Sequence, residues 1–96
     1  MIEVLKFRLI DGISVEDFLR KNADFQQHFV YQQAGFLRRT VASGLDGEWL
    51  AISWWRSMDD ARRSLSEAMT SPISIEFNLL LDTTSQTTEY FKELPG

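Results

Sequence analysis

The sequence contains no cysteine and only one histidine, His28. The absence of cysteine excludes disulfides, thiolate nucleophiles and cysteine-ligated zinc or iron–sulfur centres. One histidine and scattered carboxylates do not form the clustered ligand set that a metal site needs, so no metal is expected. A glycine-rich phosphate loop is also missing, and we expect no bound cofactor.

Long apolar runs and an excess of positive charge are also missing. No segment approaches the roughly 18 apolar residues that span a membrane. The first ten residues carry Glu3, Lys6 and Arg8 where a signal peptide would be apolar. The net charge of −4 disfavours nucleic acids and anionic membranes as partners. We therefore expect a cytoplasmic protein that binds neither.

The 96 residues are 44% hydrophobic and 25% charged, which is typical of a soluble globular chain with one modest core. A single domain over residues 1–96 is expected. Ile2–Ile10 is apolar and ends at the turn pair Asp11-Gly12, so it predicts a strand. Ser14 is a predicted N-cap, and Gly35 is the predicted C′ residue of the helix that follows. Apolar residues at three- and four-residue steps, interrupted by Asn22, mark one face of that helix.

Two strand-like segments, Phe36–Ser43 and Glu48–Arg56, follow and predict a hairpin. Asp46-Gly47 between them is the composition of a two-residue type I′ turn. Ser57 is the predicted N-cap of a second helix, which Thr70-Ser71-Pro72 ends.

The segment Ile73–Leu81 fits either a strand or a short helix, and we favour the helix because a fifth strand would add an edge to bury. Gln86–Leu94 is the predicted last strand. The fold class predicted is α+β, a ferredoxin-like βαββαβ domain with a four-stranded antiparallel sheet.

A two-residue turn would place one aliphatic set of the hairpin against the helices: Leu37, Arg39, Val41, Leu50, Ile52 and Trp54. The opposite face would then carry Phe36, Trp49 and Trp55. A one-residue slip of the register would exchange these assignments. Because helices cover only one face of such a sheet, an apolar second face predicts a homodimer through that face.

The segment EWLAISWWRSMDDARRSLSEAMTSP, with the Phe77–Asp82 stretch and the aromatic strand end Tyr90-Phe91, resembles the dimeric α/β-barrel superfamily. Within it the likeness is to antibiotic biosynthesis monooxygenase-like domains. The likeness covers nearly the whole chain in length, element order and hydrophobic positions. It implies a ligand cleft between sheet and helices. It also implies chemistries that include cofactor-independent oxygenation of quinol-like polyketides, haem degradation and isomerisation.

One feature of the family is matched and two are missing. Trp54, or Trp55 if the register slips, matches the family's tryptophan of the third strand. No asparagine occurs in the first strand, and no histidine occurs in the second helix, which disfavours haem degradation.

Five residues are candidate site residues, and each has a structural alternative. His28 is the candidate general base, or else a half-exposed helix residue or a dimer contact. Arg39 is the candidate anchor for a carboxylate or enolate oxygen, or else a cation–π partner of the tryptophans. The same two roles are open to Arg38. Trp54 and Trp55 would stack on a flat ligand, or only pack. Asn22 would point polar atoms into the cleft, or form a buried cap or a water-bonded edge position.

These residues lead to three hypotheses of function. The first is a cofactor-free monooxygenase that deprotonates an activated phenol or enol of an aromatic or polyketide-like molecule. The second is a non-catalytic dimeric module that binds a small molecule or serves as a scaffold. The third is an isomerase or cyclase of the same fold, which would consume no oxygen.

Overall fold

The computed structural model describes all 96 residues, which form one four-stranded sheet covered on one face by helices. The elements are β1 (Ile2–Leu9), α1 (Val15–His28), β2 (Phe36–Ser43), β3 (Trp49–Trp55), α2 (Met58–Ala68), α3 (Pro72–Asn78) and β4 (Leu81–Phe91). The strand order is β2-β3-β1-β4, and every pairing is antiparallel. The predicted ferredoxin-like α+β fold is confirmed.

Both predicted serine N-caps form. The Oγ of Ser14 accepts the amide hydrogen of Asp17, and the Oγ of Ser57 accepts that of Asp60, which satisfies free N–H groups at the two helix starts. The predicted end of α1 at Gly35 is wrong. The α-helix ends at His28, and a 3₁₀ turn over Val30–Gln32 follows it. Gly35, with φ of +78°, instead turns the chain into β2.

The ambiguous segment after Pro72 is helical, as favoured, because α3 covers Pro72–Asn78. Proline at the start of this helix costs nothing, since the first N–H groups of a helix have no intrahelical partner. The last strand, however, begins at Leu81 and not at Gln86. Leu81 faces Leu9 across the sheet, and a register shift after Lys6 accommodates the extra residues.

The hairpin turn differs from the two-residue type I′ turn expected from Asp46-Gly47. Ser43 pairs with Trp49, and the amide of Gly44 donates to the carbonyl of Glu48, so five residues form the loop. Asp46 does not adopt the positive φ that a type I′ turn requires at both central positions. Its carboxylate accepts the amide of Glu48 instead, which stabilises the longer loop.

This longer loop shifts the register by one residue and corrects the predicted faces of β3. Trp49, Ala51, Ser53 and Trp55 face the helices, whereas Leu50, Ile52 and Trp54 lie on the open face. A one-residue slip turns every side chain of a strand to the other face. On β2, Arg39 and Val41 remain on the helix side, as predicted, but Leu37 is 59% exposed.

The core lies at one end of the space between sheet and helices. Phe18 of α1 packs at 5.8 Å between ring centroids from both Phe7 of β1 and Phe77 of α3, and at 4.7 Å from Trp49 of β3. Leu81 completes the buried cluster. Toward the other end of β1 and β3 the side chains become smaller or polar, and there the space is not filled.

The open face of the sheet carries an apolar row, which ends where Lys6 pairs with Leu50. Ile2 and Val4 pair with Trp54 and Ile52 on neighbouring strands, and Phe91 lies beside Ile2. We call this surface the open sheet face. At its edge the guanidinium of Arg38 lies 4.3 Å from the centre of the Trp54 ring. No helix of the protein has the length and apolarity needed to cross a bilayer.

Candidate functional site

A cavity of about 390 Å³ lies between the helices and the sheet, which is within the size range of small-molecule sites. Its floor comes from β1, β3 and β4, and its walls come from all three helices. Most of the lining is apolar, and Phe25 and Phe77 stack on each other with ring centroids 4.5 Å apart. The only charged side chains among the lining residues are Glu3 and Arg39.

Small side chains create this space. Six positions that face the cavity carry alanine or serine: Ala51, Ser53, Ala61, Ser64, Ala68 and Ser74. All of them except Ala68 are buried. Interiors are normally close-packed, and an unfilled volume of this size lowers stability. Small residues on several elements around one cavity therefore favour a site that is kept open for a ligand.

Arg39 reaches into the cavity from β2. Its Nη1 donates to Oδ1 of Asn22 at 2.7 Å and to Oε1 of Gln26 at 3.1 Å, both on α1. Its guanidinium carbon lies 5.4 Å from the centre of the Phe25 ring. No carboxylate lies within the 4.0 Å of an ion pair. Burial lowers the pKa of Arg39 to about 10, although the charge of Glu3 acts to raise it, so Arg39 is cationic at neutral pH.

A second polar cluster is built around Glu3 of β1. One carboxylate oxygen accepts the indole N–H of Trp55 at 3.3 Å, and the other accepts the hydroxyl hydrogen of Tyr90 at 3.0 Å. All three residues line the cavity. Burial, then the charge of Glu3 and the hydrogen bond to it, raise the pKa of Tyr90 to about 12. Tyr90 is therefore a neutral hydroxyl donor at neutral pH.

The five candidate residues from the sequence separate in space. Arg39 and Trp55 line the cavity, and Asn22 is 9% exposed behind Arg39, where it holds the guanidinium. Trp54 lies on the open sheet face beneath Arg38, away from the cavity. His28 ends α1 as an exposed residue and does not line the cavity, so no geometry supports it as a general base.

Two polar lining residues were missed. Glu3 was considered only as a charge that argues against a signal peptide, and Tyr90 only as part of an aromatic strand end. Side chains alternate between the two faces of β1, and Glu3 shares its face with Leu5 and Phe7. A charged residue on this apolar face is the signal that could have identified Glu3 from the sequence. Tyr90 pairs directly with Glu3 across the sheet, which only the register reveals.

The arrangement combines an apolar, partly aromatic lining with one anionic and one cationic group. Phe25, Phe77 and Trp55 supply apolar and aromatic surface. The guanidinium of Arg39 is a preorganised donor for a negative oxygen. No group of three or more histidine, cysteine or acidic side chains is placed to hold a metal ion.

Comparison with known proteins relates this geometry to a fold. No family model matches the sequence, and no curated protein sequence matches it. Among solved structures, a variant of SnoaB, a cofactor-independent oxygenase from Streptomyces nogalater, aligns with a TM-score of 0.76 and 22% identity. The alignment covers 99% of this chain and 93% of that one.

Two further structures bear provisional assignments as antibiotic biosynthesis monooxygenases. The protein from Nitrosomonas europaea has a TM-score of 0.73 and 8% identity over 97% of this chain and 88% of that chain. The protein from Bordetella bronchiseptica has a TM-score of 0.72 and 12% identity over 98% and 96%. The fold resemblance inferred from the sequence is therefore confirmed: the chain has the fold of antibiotic biosynthesis monooxygenase-like structures.

Proposed function

We propose that this protein, which shares the fold of a cofactor-independent oxygenase, binds a flat aromatic or polyketide-like molecule in its cavity and oxygenates it without a cofactor. The observation that carries the proposal is Arg39, a partly buried guanidinium without a carboxylate partner at the edge of a cavity of about 390 Å³ with a partly aromatic lining. A cation in this position stabilises a negative oxygen on the ligand.

The reaction that fits such a site begins with an activated aromatic ketone or phenol. Loss of a proton to water gives an enolate or phenolate, and its negative oxygen lies against Arg39. Dioxygen then reacts with the electron-rich carbon. One oxygen atom becomes a carbonyl of the product, and the other leaves as water with two hydrogens of the substrate. The enolate gains most from Arg39 because the apolar walls lower the local dielectric constant.

Oxygen uptake with anthrone as the probe tests this proposal. Anthrone is flat, forms an enolate and becomes anthraquinone by taking up one O₂ and releasing one water. We expect uptake well above the rate without protein, with anthraquinone as product, and a loss of about 100-fold in rate in Arg39→Gln, the usual cost of one oxyanion donor. Bound anthrone without added oxygen uptake would contradict oxygenation and favour the non-catalytic binding module. Conversion of the probe without oxygen would favour the isomerase.

The second part of the proposal is a homodimer through the open sheet face. Leu50, Ile52 and Trp54 of β3 and Ile2 and Val4 of β1 form an apolar row there, which the helices do not cover. Apolar rows on a small sheet are typical of interfaces between subunits. A second copy provides a matching surface by two-fold symmetry. The apolar row differs from the predicted one, since it contains Trp54 and neither Trp49 nor Trp55.

A further inference from the structure

Glu3 is a carboxylate inside the cavity with free capacity to accept hydrogen bonds. A carboxylate offers about four lone-pair positions, and Glu3 uses two of them, one for Trp55 and one for Tyr90. Both donors are neutral, so they orient Glu3 without cancelling its charge. No lysine, arginine or histidine lies within ion-pair distance of it.

Glu3 and Arg39 therefore place a negative and a positive group on the two sides of Ser53, because β1 and β2 both pair with β3 at that residue. Each charged group is held by neutral partners, on β3 and β4 for Glu3 and on α1 for Arg39. The two charges influence each other, because Glu3 acts to raise the pKa of Arg39, but they do not form an ion pair. Charges that face the same cavity without meeting leave room for ligand groups that satisfy each of them.

We infer that the cavity selects ligands in which a flat ring system carries a hydroxyl group on one side and an anionic oxygen on the other. The hydroxyl donates its hydrogen to Glu3, and the anionic oxygen accepts from Arg39. The inference names the ligand class of the proposed function and rests on the cavity being its ligand site. It does not depend on oxygenation.

A hydroxyl suits the Glu3 end better than an ammonium group. An ammonium has three N–H donors to satisfy, and the groups that surround Glu3, the indole of Trp55 and the hydroxyl of Tyr90, are already donating. An ammonium would also be repelled by Arg39 in the same apolar cavity. A neutral hydroxyl needs one acceptor, which the carboxylate supplies.

Matched naphthoates test the two ends separately by isothermal titration calorimetry. The probes are 6-hydroxy-2-naphthoate, 6-methoxy-2-naphthoate, 2-naphthoate and 2-naphthol, with 4-hydroxybenzoate and benzoate as a shorter pair. We expect the hydroxy acid of at least one ring size to bind about tenfold more tightly than its partner without the hydroxyl, because a hydrogen bond to a charged group is among the stronger ones. 2-Naphthol, which lacks the carboxylate, should also bind about tenfold more weakly than 6-hydroxy-2-naphthoate.

Two variants assign each preference to its residue. In Glu3→Gln the preference for the hydroxyl should fall to about twofold or less, while the preference for the carboxylate stays. In Arg39→Gln the preference for the carboxylate should fall to about twofold or less, while the preference for the hydroxyl stays. Tyr90→Phe, which keeps the carboxylate of Glu3, should retain the preference for the hydroxyl.

The outcomes separate this inference from the proposed function. Equal affinity for the hydroxy and methoxy acids in the wild type, or a hydroxyl preference that survives in Glu3→Gln, would overturn the inference and leave the ligand site intact. If none of the six probes bound the wild type, the inference and the ligand site would both be contradicted. Oxygen uptake with anthrone is measured independently of either result.

Discussion

Arg39 and Asn22 are joined by a hydrogen bond of 2.7 Å between Nη1 and Oδ1, and this neutral amide, together with Gln26, takes the place of a carboxylate. A carboxylate there would neutralise the guanidinium. The amides fix its orientation and leave its charge available. The pair links α1 to β2 at the edge of the cavity.

Substitutions of Asn22 should therefore separate stability from binding. Asn22→Ala removes an acceptor from a partly buried guanidinium, and we expect a loss of about 1–3 kcal/mol in the free energy of unfolding, measured by urea denaturation. Asn22→Asp supplies a carboxylate at the same place, so we expect it to weaken the binding of 2-naphthoate about tenfold while the protein stays folded. Undiminished affinity in Asn22→Asp would show that the charge of Arg39 is not used.

Filling the cavity should prevent ligand binding without unfolding the protein. Ser64→Leu extends an apolar side chain from α2 into the space, and we expect an unchanged or higher midpoint of thermal unfolding together with at least tenfold weaker binding of 2-naphthoate. Ser66→Leu, on the exposed side of the same helix, is the matched control and should bind as the wild type does. Strong destabilisation by Ser64→Leu alone would indicate that the space is closed in solution.

The hydrogen bond between Tyr90 and Glu3 should appear in the titration of Tyr90. Absorbance difference titration of the wild type against Tyr90→Phe should place the pKa of Tyr90 near 12, well above the usual value of 10. In Glu3→Gln the pKa should move back toward 10, because the negative charge that opposes ionisation is gone. An unchanged pKa in that variant would leave burial as the whole cause.

The same pKa shift predicts a dependence of stability on pH. Between pH 10 and about 12 the folded protein keeps the proton of Tyr90 while the unfolded chain releases it, so the free energy of unfolding falls as the pH rises. Arg39, whose pKa is lowered from 12.5 to about 10, acts in the opposite direction over the same range. Urea denaturation at several pH values should therefore show that, between pH 10 and about 12, the free energy of unfolding falls less in Tyr90→Phe than in the wild type, or rises. If the free energy of unfolding depended on pH in the same way in both proteins, the raised pKa of Tyr90 would be contradicted.

The open sheet face should determine the oligomeric state. Trp54→Glu places a charge in the apolar row, so we expect a dimer to become a monomer in analytical ultracentrifugation. Leu79→Glu changes an apolar side chain that is 68% exposed on the helix side, and the dimer should persist. A wild-type monomer at micromolar concentration would refute the dimer.

The sequence was sufficient for the fold because its signals are local. The serine caps, the proline at the start of α3 and the stripe along α1 each depend on residues within one or two turns. The faces of β3 were predicted wrongly because they depend on the length of one loop. Asp46 accepts the amide of Glu48, and Arg8 from β1 donates to Asp46, a contact from a distant strand that no local turn rule contains.

The site was only partly predictable because part of it also depends on contacts between strands that are distant in the sequence. Arg39 and Trp55 could be named from residue type and position, and Asn22 from its place in an apolar stripe. The Glu3 cluster requires β1 to lie between β3 and β4, which brings together residues 87 positions apart in the sequence. His28 was chosen for its chemistry alone, and the end of α1 leaves it at the surface.

The most direct test of the account compares two adjacent arginines on opposite faces of one strand. Arg39 lines the cavity, whereas Arg38 lies over Trp54 on the open sheet face. Calorimetric titration with 2-naphthoate should give at least tenfold weaker binding in Arg39→Gln and the wild-type affinity in Arg38→Gln. Equal affinity in all three proteins, or a loss in Arg38→Gln alone, would contradict the claim that the cavity is the ligand site.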